Sequence, residues 1–150
     1  MLHLKKKIIM NSSAFTLIEL LFVMAIFTVL ASVGVYSINM YLPKQRQFAA
    51  ARVLKTDLVK ARVHAIKTRT NQTVNFQKST YDIKQDSKVF LKRNFKKDFN
   101  WSGVELKSSK NPTFNMDGTV DDISTIEIKC GGSDPLFITM TITGNIKIES

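Results

Sequence analysis

Residues 14–36 read AFTLIELLFVMAIFTVLASVGVY, an apolar segment in which Glu19 is the only charged residue. Residues 15–36 would form about 33 Å of α-helix, close to the hydrocarbon thickness of a bilayer. Residues 5–7 are lysines, and no acidic residue precedes Glu19, which places the N-terminus on the cytoplasmic side by the positive-inside rule. We therefore expect a single-pass transmembrane helix whose C-terminal domain lies on the other side of the membrane.

The segment does not have the pattern of an ordinary secretory signal peptide. Such a signal places an A-x-A-like cleavage site after its apolar core. Here the sequence YSIN follows Val35 and offers a poor site, whereas a small residue, Ala14, comes before the apolar core. We do not expect conventional cleavage.

Glu19 carries most of the functional interpretation. A carboxylate well inside a transmembrane helix costs about 2.5–3.5 kcal/mol on insertion scales and is a candidate functional group. One interpretation is that Glu19 lies near the helix end and reaches the headgroups. In the other, cleavage between Ala14 and Phe15 creates an α-amine one helical turn from Glu19, which could pair with it within a chain or between neighbouring chains. The dipole of a helix that begins at Phe15 would also favour an acid there.

The lysine-containing leader, the small residue and the sequence FTLIELL resemble the class III signal of type IV pilins and type II secretion pseudopilins. The resemblance implies that residues 1–14 are a leader, that a prepilin peptidase cuts between Ala14 and Phe15, and that Phe15 is N-methylated. It also implies filament assembly in which Glu19 neutralises the N-terminal amine of an adjacent subunit. The family usually has glycine before the cut. Alanine is nearest to it in size, so we expect cleavage at a lower rate.

The resemblance further implies partners and a location. The partners would be other major and minor pilins or pseudopilins, the prepilin peptidase and the inner-membrane assembly platform. The chain would be anchored in the bacterial inner membrane with a periplasmic domain, and would enter a filament after assembly.

The composition limits the rest of the chain. The 150 residues leave room for the anchor and one small domain. The net charge is +10, and loss of the leader lysines lowers it to +7, which is compatible with nucleic acid or an anionic surface as a partner. Cys130 is the only cysteine, so we expect a buried free thiol in a strand rather than a disulfide within the chain.

Residues 44–69 predict an amphipathic helix, because small and apolar residues recur at spacings of three and four. Pro43 should kink or interrupt the chain just before it, which divides the anchor, residues 15–42, from a second helix, residues 43–70. The remaining surface is basic, with Asp57 as its only acid and with His64 interpreted as a surface histidine. This basic face could bind a polyanion or lipid headgroups. Alternatively, it could be a solvated surface while the apolar stripe of the helix packs on a sheet, and we favour this second interpretation. The stripe consists of Ala51, Leu54, Leu58, Ala61 and Ala65, and the basic residues are Lys44, Arg46, Arg52, Lys55, Lys60, Arg62, Lys67 and Arg69.

Residues 71–150 change to a period of two and predict an antiparallel β domain. Turn signals separate the short strands, among them Asp117-Gly118 and Gly144-Asn145. The predicted fold class is α+β, with a long N-terminal helix packed on this sheet domain. The predicted strands are residues 73–76, 81–84, 89–93, 104–107, 113–116, 125–129, 137–143 and 146–149.

The order of these elements resembles the GspH/FimT group of minor pseudopilins and minor pilins. No P-loop or nucleophile-elbow sequence is present, and one cysteine with two histidines gives little material for a metal or nucleophile site. We expect a structural subunit of a type II secretion pseudopilus or a type IV pilus, and neither an enzyme nor a protein with a metal or cofactor.

A DNA-binding minor pilin is the alternative, with DNA as a further partner. Residues 88–101, KVFLKRNFKKDFNW, mix cations with aromatic rings, as single-strand binders do. The other interpretation, which we favour, is that the rings pack in the core or at an edge while the lysines are solvated. Some FimT-type pilins bind DNA through a G-R-x-R loop, which aligns with residues 144–147 here, but Asn145 replaces the first arginine. The candidate anion-binding residues are Lys92, Arg93, Lys96, Lys97 and Lys147.

Overall fold

The computed structural model describes residues 15–149 and, within them, all side chains except those of residues 33–37, 39 and 40. The elements are α1 (Leu17–Thr68), β1 (Gln72–Phe76), β2 (Thr80–Gln85), β3 (Lys88–Asn94), α2 (Phe95–Phe99), β4 (Val104–Ser108), β5 (Thr113–Phe114), β6 (Ser124–Cys130), β7 (Leu136–Met140) and β8 (Ile146–Glu149). The α+β class, with a long helix followed by an antiparallel sheet domain, is confirmed.

The described chain divides into two units, with the boundary between Ile38 and Asn39. The first unit contains the start of α1, and those of its apolar side chains that the structure describes are largely exposed. The sequence predicts a membrane span in residues 15–42. In the part of the chain that the structure describes, no helix is both long and apolar enough to cross a membrane.

Helix α1 is not interrupted at Pro43, which lies inside it. The predicted interruption is therefore wrong, because one helix runs through residues 42 and 43, whereas the alternative of a kink at Pro43 stays a prediction. Proline removes one backbone donor from the helix. The following turns bury a continuous apolar stripe, and such tertiary packing supplies most of the stability of a helix in a protein.

The second half of α1 packs its small residues into the core of the sheet domain, as predicted. Ala51, Leu54, Leu58, Ala61 and Ala65 are all fully buried, and Ala50 joins them. Alanine lets the helix backbone approach closely, and the larger strand residues fill the space. The core side chains from the strands include Val74, Tyr81, Ile83, Phe114, Ile126, Ile128, Ile138 and Met140.

The strands form two four-stranded antiparallel sheets. One has the order β3-β2-β1-β5 and the other β4-β6-β7-β8. Residues alternate between buried and less buried along β6 and β7, as expected for sheets with one face on a core. Cys130 is a buried free thiol at the end of β6, as predicted.

Two details differ from the predicted strands. The strand predicted at residues 113–116 is only the pair Thr113–Phe114, and β7 ends at Met140 rather than 143. The short helix α2 was not predicted. It forms because the Asn94 side chain accepts a hydrogen bond from the Lys97 backbone N–H, and it ends because Asn100 adopts a left-handed conformation with φ of 56°.

Candidate functional site

The first turn of α1 contains a capping box formed by Thr16 and Glu19. The Glu19 backbone N–H donates to the Thr16 hydroxyl at 3.3 Å, and Glu19 Oε2 accepts from the Thr16 backbone N–H at 3.5 Å. This reciprocal pair satisfies backbone donors that a helix start otherwise leaves unpaired. This pair was not predicted, although a threonine followed three residues later by a glutamate is its signal in the sequence. Glu19 thus has a local structural role beside any role in assembly.

The surroundings of Glu19 are apolar and exposed. Phe15 is 79% exposed, and Leu17, Ile18 and Phe22 are exposed to a similar extent. A contiguous apolar surface of this kind marks a region that contacts another protein or a membrane. Ala14, the predicted residue before the cut, lies outside the described residues.

A second polar centre lies in the sheet domain around Asp57, whose side chain is 1% exposed. Asp57 Oδ2 accepts from the Tyr81 hydroxyl at 2.8 Å and from Arg93 Nε at 2.9 Å. Asp57 Oδ1 accepts from Lys60 Nζ at 3.1 Å. Three donors thus satisfy a buried carboxylate and join α1, β2 and β3.

The pKa values of this centre follow from burial and these bonds. Burial raises the pKa of Asp57, but the hydrogen bonds from Arg93, Tyr81 and Lys60 outweigh it and lower the pKa below its usual 3.8. Burial and the bond to Asp57 raise the pKa of Tyr81. The bond to Asp57 also raises the pKa of Arg93. The centre is therefore a charged carboxylate held by a neutral phenol and two cations.

The predicted anion-binding residues do not form one surface. Arg93 is bound to Asp57, and its guanidinium lies 5.8 Å from the centroid of the Phe99 ring, so it has a structural role. Lys92 on β3 and the adjacent lysines of α2, Lys96 and Lys97, are exposed. Lys147 is also exposed, but it lies on β8 in the other sheet.

The aromatic residues of the same segment mainly pack on the protein. Phe95 is fully buried, and Phe99 and Trp101 stack on each other at 4.6 Å beside it. Phe90 stacks on His64 with ring centroids 4.0 Å apart, so His64 is half-buried rather than a surface histidine. The packing interpretation that we favoured accounts for these rings.

The turn between β7 and β8, which closes with a bond from the Gly144 N–H to the Thr141 carbonyl, is held by Arg62 of α1. Arg62 Nη2 donates to the Thr143 carbonyl at 3.0 Å, and Arg62 Nε donates to the Gly118 carbonyl at 2.9 Å. Gly144 has φ of 76°, and a Cβ atom there would clash with the Gly118 carbonyl oxygen and lie 2.7 Å from Arg62 Nε. Residue 144 must therefore be glycine, because its backbone conformation is left-handed and the space that a Cβ atom would need is filled by Gly118 and Arg62.

Replacing Gly144 with alanine should lower the free energy of unfolding by about 2 kcal/mol or more, because a left-handed conformation and a backbone clash are imposed together. Gly132→Ala is the matched control, since nothing lies within 4 Å of a Cβ atom there, and it should change stability by less than about 0.5 kcal/mol. Urea denaturation of the two variants measures the difference. Equal stabilities would contradict this description of the turn.

Comparison with known proteins places the N-terminal segment and the fold in one class. Residues 9–35 match the prokaryotic N-terminal methylation motif. A comparison with curated protein sequences gave no match. The structure resembles the type IV minor pilin FimU of Pseudomonas aeruginosa, with a TM-score of 0.60 and 17% identity over 73% of this chain and 92% of FimU. It also resembles the minor pseudopilin EpsH of the Vibrio cholerae type 2 secretion system, with a TM-score of 0.57 and 13% identity over 70% of this chain and 97% of EpsH.

The chain is thus pilin-like in its N-terminal motif and in its fold, as the resemblance in the sequence implied. The capping box and the exposed apolar first turn lie within the matched motif.

Proposed function

We propose that this protein is a minor pilin or minor pseudopilin, a structural subunit of a filament. The observation that supports this most is Glu19, an acid at the first turn of a helix with an exposed apolar surface, inside a matched N-terminal methylation motif. An acid in such a surface is costly unless it meets a positive partner. The amine created by cleavage before Phe15 is the partner that the motif implies.

The proposed sequence of events begins with a membrane-anchored precursor. A prepilin peptidase cuts between Ala14 and Phe15 on the cytoplasmic side, and Phe15 is then N-methylated. The helix, anchored in the inner membrane, enters the filament when Glu19 pairs with the Phe15 amine of a neighbouring subunit. The exposed apolar side chains around Glu19 pack against other pilin helices, so the surface that held the chain in lipid is buried again.

The sheet domain would lie on the periplasmic side and present the surface that other subunits contact. Its partners there would be other major or minor pilins or pseudopilins, brought together at the inner-membrane assembly platform. The role is structural rather than catalytic. Both a type II secretion pseudopilus and a type IV pilus remain within this proposal.

We do not extend the proposal to DNA binding. The rings of Phe95, Phe99 and Trp101 pack on one another, and Lys147 lies on a different sheet from Lys92. A DNA site would have to rely on exposed lysines without free aromatic rings, which give salt-dependent and non-specific attraction.

Processing provides the experiment that tests the proposal. Co-expression with a prepilin peptidase should convert the chain to a shorter form, and Ala14→Leu should remain full length because a large side chain replaces the small residue before the cut. Ala14→Gly should be cut at least as fast as the wild type. Gel mobility after a pulse of synthesis measures each rate, and a pilin known to be cut controls for peptidase activity. A wild-type chain that stays full length beside that control would contradict the proposal.

A further inference from the structure

A cleft of about 330 Å³ lies between the second half of α1 and the segment formed by β3 and α2. Arg52, Thr56 and Lys60 follow one another at intervals of one turn along the α1 wall. Arg93 and Phe99 form the opposite wall, and the buried Asp57 carboxylate lies between the two. The cleft therefore has cations on both sides and one aromatic ring.

The charge of the cleft is positive after its internal pairs are taken into account. Asp57 is the one acid among its lining residues, and it already accepts from Tyr81, Lys60 and Arg93. Arg52 is a third cation, so cations exceed carboxylates by two. A group that enters this cleft is attracted if it is an anion.

Arg93 is held in a fixed orientation that suits such a group. Its Nε donates to Asp57, and its guanidinium lies over the Phe99 ring. Among the described residues, this bond from Nε is the only hydrogen bond that the Arg93 guanidinium donates. A guanidinium has five N–H donors, so the donors on its two terminal nitrogens remain for a ligand. Because the side chain is already ordered, less rotamer entropy is lost when a ligand binds.

We propose that this cleft binds the carboxylate of an acidic side chain supplied by a neighbouring, more acidic filament subunit, an inference that rests on the proposed function. Arginine pairs with a carboxylate through two parallel hydrogen bonds, and Arg52 and Lys60 add long-range attraction from the helix wall. Phe99 is half-buried and lines the cleft, so the part of its ring that Trp101 and Arg93 leave uncovered can contact the methylene groups of a glutamate. The size of the cleft suits one or two side chains of a protein segment.

Two features favour this occupant over others. The full chain carries a net charge of +10, so two copies repel each other, and a second copy is a poor source of the acid. The Phe99 ring is already stacked on Trp101 and contacts Arg93, which disfavours the stacking on bases that single-stranded nucleic acids require.

Trp101 provides a natural reporter for the test. It is the only tryptophan in the chain, and its ring lies 4.6 Å from that of Phe99. The full-length chain in an uncharged detergent should change its fluorescence when a capped tetraglutamate peptide is added at low ionic strength. A capped tetraglutamine peptide should cause no change.

Charge variants locate the binding. Arg52→Gln with Lys60→Gln should weaken the binding of tetraglutamate roughly five- to tenfold. The matched control is Lys44→Gln with Lys67→Gln, which removes two exposed cations from the same helix outside the cleft and should change the affinity less than about twofold. Arg52→Gln alone, at an exposed position, should weaken binding without affecting the fold.

Any one of the following results would overturn the inference. Absence of tetraglutamate binding, or equal weakening in the cleft and control variants, would show that the cleft is not a carboxylate site. Tighter binding of a tetrameric deoxythymidine oligonucleotide would show a phosphate site instead. Self-association of the wild type that the cleft variant abolishes would identify a second copy as the occupant. All of these results are independent of whether Phe15 is processed, so failure here and failure of the filament proposal can be told apart.

Discussion

Replacing Glu19 with alanine should leave membrane insertion intact and lower incorporation into filaments at least about tenfold. The free α-amine of a neighbouring Phe15 would then enter an apolar helix bundle without its acid, and a charge-assisted bond contributes about 1.5–3 kcal/mol. The same change removes a costly acid from the segment that enters the membrane, so insertion itself should be no worse. The amount of the protein in sheared filaments, compared with that in membranes, measures the effect.

Glu19→Gln separates the charge from the capping box. Glutamine can still accept the hydrogen bond from the Thr16 backbone N–H, so the helix start should persist. It cannot neutralise an amine, so assembly should fail nearly as severely as with alanine. Normal filaments from the glutamine variant would contradict the assembly role and leave Glu19 with its local capping role alone. Thr16→Ala is the converse control, since it weakens the cap and keeps the acid.

Replacing Asp57 with alanine should lower the free energy of unfolding by about 2–4 kcal/mol. The buried Tyr81 hydroxyl would lose its acceptor, and Arg93 and Lys60 would lose their carboxylate. Arg93 is 31% and Lys60 54% exposed, so both can recover some hydration, which places the cost below that of a fully buried pair. Urea denaturation of the full-length chain in detergent measures it.

Asp122→Ala is the matched control for this effect. Asp122 pairs with Lys110 at 2.8 Å, but both side chains are about 60% exposed. Loss of an exposed pair should cost less than about 1 kcal/mol. Equal losses in the two variants would contradict the structural importance of the Asp57 centre.

The acid dependence of stability gives an independent view of the same residue. The pKa of Asp57 is lower in the folded chain than its usual 3.8, so its contribution is fully present above that value. It is lost as the pH falls through the lower, folded pKa. In Asp57→Asn this part of the acid destabilisation should disappear, and a curve parallel to that of the wild type would show that Asp57 is not stabilised as a carboxylate.

Local patterns in the sequence predict the helix, its buried stripe and most of the strands, because periodicity reports directly on which face is buried. The alanines and leucines between residues 51 and 65 are an example. The capping box and the Asn94 cap also have local signals, which were overlooked. In contrast, the hydrogen bonds from Arg62 to the carbonyls of Gly118 and Thr143 connect segments that are far apart in the sequence. No local sequence pattern predicts such bonds.

In the Asp57 centre, too, the burial of the acid could be predicted from local sequence, whereas its hydrogen-bond partners could not. Asp57 lies four residues before Ala61 and beside Leu58, on the buried side of α1, and that position was a signal for a buried acid. Its partners Tyr81 and Arg93 are 24 and 36 residues away. Without that pairing, Arg93 looked like one more free surface cation in a basic segment, and its bond to a buried carboxylate could not be foreseen.

The mass of the N-terminal peptide, measured on protein purified from its own membranes, shows whether the chain is processed as a pilin-type subunit. We expect a peptide that begins at Phe15 and carries one additional methyl group on its α-amine. This result requires both the cut after Ala14 and the modification that the matched motif implies. A peptide that retains residues 1–14 in cells with an active prepilin peptidase would contradict the account.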